Sequence, residues 1–173
     1  MTKKILISIL SLLTAYYTIA QTNNPKILVD SLKHLKEDTI DCNTDLYWRI
    51  IAIGKDAIPP LIDKLTDTSL TNVRWQCKKE KLNVGEIAQL ALVEIAYFPA
   101  AKITQWQFDI IENGCWNFYD YFFNNKNKVH YQNLIKVWYQ EQFQNYRAIE
   151  IPQKKLSACR LKYNLIKYYE WQE

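Results

Sequence analysis

The 173-residue chain carries 22 basic and 18 acidic side chains, a net charge of +4. So slight a positive balance makes no case for nucleic acid as a partner. With 49% hydrophobic residues, three glycines and five prolines, the composition suits one cored domain that leans helical.

In chain order, Lys3 and Lys4 give a short positive start, and Ile5 to Ile19 is uncharged and mostly apolar. Thr18-Ile19-Ala20 places small residues where a signal peptidase cuts, so residues 1–20 read as a cleavable export signal and 21–173 as the mature domain. The apolar run is too short and too interrupted for a membrane span, and nothing after Gln21 is long and apolar enough to be one. Removing the signal also removes Lys3 and Lys4, which weakens any argument from basicity. What charge remains is segregated: residues 24–70 hold six basic and eight acidic side chains, residues 125–173 nine and four. Such an asymmetry is ordinary for solvated faces.

Asn24-Pro25 is a cap followed by a first-turn proline, ahead of a helical segment over Ile27–Lys36. Thr44 is placed to cap a helix carrying Leu46, Ile50 and Ile53, which Gly54 ends. Asp56 is placed to cap the next, with Ile58, Leu61, Ile62 and Leu65 as its buried face. Residues 66–82 are a long connection, and Asn83-Val84-Gly85-Glu86 has the form of a capping box. The helix behind it keeps Val84, Ile87, Ala88, Ala91, Leu92 and Ile95 on one face. Pro99 begins a stretch expected to stay helical to about Glu112, and Asn113-Gly114 interrupts the chain. Residues 116–123 are dense in aromatics without an evident period. Lys126–Tyr146 is helical again, 149–155 extended, and a last helix is expected over Ser157–Tyr169.

Gly54-Lys55-Asp56-Ala57-Ile58-Pro59-Pro60-Leu61-Ile62 resembles the turn and second helix of a HEAT repeat, and Val84 to Ile95 is similar to the start of a further repeat helix. The resemblance covers about residues 44–98. It implies an all-α fold in which antiparallel helix pairs stack as a short HEAT-like α-solenoid. It also implies a broad protein-binding surface rather than a catalytic pocket.

Cys42, Cys77, Cys115 and Cys159 all lie in the mature part, and an even number in an exported chain implies two disulfides with three possible connectivities. If 44–54 and 57–67 run antiparallel, as the resemblance implies, the connection holding Cys77 returns to the level of Cys42. Cys42–Cys77 is then the favoured pair, leaving Cys115–Cys159.

No cofactor motif is present; His34 has Glu37 one helix turn on, but no second His or Cys lies at metal-ligand spacing, and His130 stands apart. Glu86 reads as a cap, and eight residues from Glu94 it points to a different side of the helix. The aromatic region 106–123 is the feature that could carry recognition. Trp116, Tyr119, Tyr121 and Phe123 are the candidate binding residues, because an aperiodic strip cannot bury every ring. The expectation is a periplasmic or secreted, non-catalytic module whose partner is another protein. The alternative is an envelope glycan binder or carboxylate-dependent hydrolase using the same rings with Asp109, Glu112 or Asp120.

Overall fold

The computed structural model describes residues 24–172, so the export signal lies outside the described residues. Asn24 caps α1 (Pro25–Asp30), its side chain accepting from the Lys26 and Ile27 amides at 3.0 and 3.4 Å. The chain tightens into a 3₁₀ turn at Ser31–His34, shortening the expected helix. α2 (Asp45–Ile53) follows Thr44, whose hydroxyl does not cap it. It donates instead to the Thr39 carbonyl and accepts from the Asp41 amide, fixing the preceding turn. Gly54 ends α2 at φ +70°, a conformation that favours glycine, and a Cβ there would also press on the Tyr169 ring at 3.3–3.4 Å. Asp56 sits in a 3₁₀ turn (Gly54–Ala57) rather than at a cap, and α3 (Ile58–Lys64) opens with Pro59 and Pro60 in its first turn.

The connection from 65 to 82 folds on itself through backbone bonds, Thr71 N–H to Leu82 carbonyl at 3.1 Å and Leu82 N–H to Val73 carbonyl at 2.8 Å. It delivers Asn83 to α4 (Val84–Ile95), where the capping box forms in both directions. α4 is the centre of the molecule: Val84, Ile87, Ala88, Ala91, Leu92 and Ile95 are all sealed from solvent. Each large aliphatic buried this completely contributes about 1.5–3 kcal/mol. Gly85 lets the helix meet the end of α3, since a Cβ would stand 2.2 Å from the Leu65 carbonyl oxygen.

The second half departs from an all-α solenoid. α5 (Ala100–Thr104) is stopped by Gln105 in the left-handed region, far short of Glu112. Asn113 and Gly114 both take positive φ, +52° and +78°, and turn the chain into a two-residue hairpin of β1 (Ile111–Glu112) and β2 (Cys115–Trp116). α6 (Phe118–Phe123) and α7 (Asn125–Gln142) follow. β3 (Tyr146–Glu150) then pairs antiparallel with β4 (Lys167–Trp171), with Ala148 opposite Tyr169. Between them the expected last helix is only α8 (Ala158–Lys162), capped by Ser157 and broken by Asn164 at φ +54°. The fold is therefore mixed, helices with two small antiparallel sheets, and not a stack of helix pairs.

The disulfides correct the expected pairing: Cys42 bonds Cys159 and Cys77 bonds Cys115. The sheets are the reason. The Asn113-Gly114 reversal folds Cys115 back onto the loop that carries Cys77. β4, tied to the end of α4 through the Tyr97 N–H to Tyr169 carbonyl bond of 2.8 Å, brings α8 beside the start of α2. There Lys162 donates to the Cys42 carbonyl and the Asn43 side chain at 2.7 and 3.0 Å, and Tyr163 stacks on Trp48.

Candidate functional site

Phe118 and Phe122 lie one turn apart on α6, fully buried, so the aromatic segment has a helical face after all. They meet Tyr131 of α7 at ring-centroid distances of 5.2 and 5.7 Å. The four candidate binding residues surround this anchor, and all are half-buried. Trp116 packs on Phe118 at 5.1 Å while its indole donates to the Phe108 carbonyl. Tyr119 meets Trp75 edge-on at 4.5 Å. Tyr121 lies against Phe108 and Trp106 at 5.4 and 5.7 Å. Phe123 carries the Lys78 ammonium above its ring at 5.2 Å. The structure thus brings the four into one wall, each ring partly spent on its neighbours.

Among the exposed apolar groups beside this wall are two, Ile110 and Ile111, that sequence reasoning did not single out. Trp106, Ile110 and Ile111 are 61, 52 and 71% exposed. They line the approach to the hairpin and its first strand, and Asn117 N–H to the Ile110 carbonyl holds that approach to the start of α6. The signal that could have found them was Asn113-Gly114 between short β-prone runs, which specifies a hairpin and so removes Ile110 and Ile111 from any helix face. Beside this edge, Glu112 and Asp120 share a depression of about 330 Å³ with Lys78 and Lys79, over the Cys77–Cys115 bond. Asp109 is exposed and accepts from Gln107 at 2.9 Å.

On the other side of Trp75 and Tyr119 lies a cleft of about 520 Å³. Tyr47, Trp48 and Leu90 form its inner wall, and Arg74 and Glu94 are its charged groups. Glu94 is held by Arg160, whose Nε donates to Oε2 at 3.1 Å while its other nitrogens reach the Glu94, Leu165 and Lys167 carbonyls. Burial, with Glu94 and then Tyr119 adding to it, pushes the Tyr47 phenol well above its ordinary range. Burial likewise raises Tyr119.

Beneath the wall is a buried charge cluster. Glu86 accepts from Lys78 at 2.8 Å, from Lys128 at 2.7 Å and from the Asn83 amide at 2.9 Å. Lys128 is 2% exposed, and desolvation pulls its ammonium below the usual lysine range although Glu86 acts the other way. This arrangement ties α7 and the 65–82 connection to the start of α4; every oxygen of the carboxylate is occupied, which leaves it nothing to offer a substrate.

Glu86 and Glu94 therefore serve different partners, and Asp109, Glu112 and Asp120 lie outside the aromatic cleft. His34 and His130 are exposed on separate elements. Among the described residues, no group of three or more His, Cys, Asp or Glu side chains is placed to hold a metal ion, and no helix is long and apolar enough to cross a membrane. Two disulfides fit an oxidising compartment outside the cytoplasm. Comparison with protein-family models, curated proteins and solved structures yields no match.

Proposed function

We propose that the chain is an exported, non-catalytic module that binds another protein through the hairpin face. The observation that carries this reading is the exposure of Trp106, Ile110 and Ile111 on a segment fixed by the Cys77–Cys115 bond. An apolar centre with Lys79, Asp109, Glu112 and Asp120 around it has the composition of a protein interface, apolar core and polar rim. A disulfide-tied hairpin also loses little conformational entropy on docking, which favours affinity. Trp116 and Tyr121 back this face through Phe108 and Trp106, and Tyr119 and Phe123 continue the wall toward Trp75. Asp109, Glu112 and Asp120 lie outside the aromatic cleft, and the depression that Glu112 and Asp120 share has no aromatic lining, which favours binding over carboxylate-dependent hydrolysis. Periplasmic or extracellular residence is part of the same proposal. The likeness to a HEAT repeat is retained as a proposal for the α2–α3 pair and α4, not for the whole chain.

The test is a photo-crosslinking amino acid placed at Ile111 and, as a control, at Lys33 on the 3₁₀ turn after α1. The reading expects one discrete protein adduct from envelope or culture-medium extracts at position 111, and no such adduct at 33. No adduct at 111, or the same set at both positions, contradicts it.

A further inference from the structure

The cleft between α2, the Trp75 segment and α4 is independent of the hairpin face, and its polar groups are arranged as if for a partner that the chain itself does not supply. Tyr47 is 3% exposed and its hydroxyl makes no hydrogen bond among the described residues. Buried phenols normally find a partner. The Tyr47 hydroxyl is not sealed into the core as those of Tyr131 and Tyr139 are, so the cleft is where a partner can reach it. Arg74 lines the same cleft and forms no ion pair among the described residues. Glu94 contributes an acceptor: Arg160 engages Oε2 and leaves Oε1 open, on a side chain 38% exposed.

The cleft therefore offers donors (Tyr47, Arg74), an acceptor (Glu94 Oε1, on a carboxylate that Arg160 already pairs) and the rings of Trp75 and Tyr119, set edge to face. We propose that this cleft is a binding site for a saccharide, packed against the rings of Trp75 and Tyr119 and hydrogen-bonded through its hydroxyls to Tyr47, Arg74 and Glu94. Hydroxyl groups donate and accept at once, which matches a mixed donor and acceptor lining, and the C–H face of a pyranose suits an aromatic wall. The cleft volume of about 520 Å³ lies within the range of small-ligand sites. Burial keeps Tyr47 and Tyr119 protonated, so both stay donors across the physiological range.

The test is calorimetric titration of the disulfide-intact protein with maltotetraose, cellotetraose and chitotetraose, and with tetra-alanine as the peptide arm. The same titrations are run on Tyr47→Phe and Arg74→Ala. Neither variant removes a hydrogen bond or ion pair among the described residues, so both should keep the thermal midpoint. Saturable binding of at least one saccharide is expected, weakened roughly fivefold by Tyr47→Phe and at least as much by Arg74→Ala. Three results overturn the proposal: no saccharide binds near its solubility limit, tetra-alanine binds in preference, or saccharide binding ignores both substitutions. Hairpin variants at Ile111 should leave these titrations unchanged, which separates this site from the proposed protein interface.

Discussion

Replacing Glu86 by alanine is the sharpest perturbation of the buried charge cluster. Glu86 is 1% exposed and Lys128 2%, and they meet at 2.7 Å. Removing the carboxylate strands Lys128 in the interior, which costs about 3–5 kcal/mol for a buried pair broken on one side. The reciprocal cap on Asn83 goes with it, adding up to about 1 kcal/mol. In a domain of this size each kcal/mol moves the midpoint by about 2–4 °C, so the Glu86→Ala midpoint should fall by roughly 6–24 °C. Lys128→Met should cost far less, because Glu86 keeps Lys78 and the Asn83 amide. The double variant Glu86→Gln with Lys128→Met keeps the cap and removes the stranded charge, and should recover most of the Glu86→Ala loss. The assay is urea denaturation followed by tryptophan fluorescence across this set. A loss below about 1 kcal/mol for Glu86→Ala would refute the reasoning, since it would mean that Lys128 finds water or another partner at little cost.

Three further outcomes follow from the packing. Gly85→Ala should destabilise by about 1–3 kcal/mol or more, because its Cβ would meet the Leu65 carbonyl oxygen at 2.2 Å and backbone must move; a midpoint equal to the parent's would contradict the close approach. Proteolytic mapping without reductant should recover Cys42 linked to Cys159 and Cys77 linked to Cys115, and loss of either bond should cost on the order of 4–5 kcal/mol for loops of 117 and 38 residues. The phenols of Tyr47, Tyr131, Tyr139 and Tyr146 are pushed up by burial, and Tyr168 to about 12, from an ordinary value of 10.0. Between those values the native state holds protons that the unfolded chain releases, so their contribution is constant below pH 10 and is lost as pH rises above it. Absorbance at the phenolate band should therefore rise together with unfolding; full tyrosine ionisation while the protein stays folded would be the contrary result.

Several local signals in the first half of the chain translate directly into structure, although Thr44 and Asp56 do not act as the expected caps. The Asn83–Glu86 box, the apolar face of α4 and the Gly54 stop are each set by contacts within a few residues, and each appears at its place. The second half is decided by reversals that periodicity alone does not register. Gln105 and Asn164 take left-handed conformations that end α5 and α8 early, although the apolar spacing around each continues as if helical. Asn113-Gly114 carried a stronger signal, since both residues tolerate positive φ and together define a hairpin. The disulfide pairing was not legible, because it depends on where β2 and β4 return, and β4 docks on the end of α4 across more than seventy residues of sequence. For the candidate site, residues 116–123 read as an aperiodic aromatic strip, and the i, i+4 pair of Phe118 and Phe122 that the core claims became visible only with α6. Ile110 and Ile111 became visible only with the hairpin, and the Tyr47–Arg74–Glu94 cleft only with the tertiary fold.

The role of the hairpin face as a protein-binding surface is tested by the dissociation constant of the crosslinked partner, once purified, for the parent chain and for Trp106→Ala with Ile111→Ala. These residues are 61 and 71% exposed, so their truncation should leave the fold and its midpoint intact. If they anchor the interface, the pair should weaken binding roughly 30-fold or more, the effect of losing a central apolar contact. Binding within about twofold of the parent would place the interface elsewhere and contradict the account.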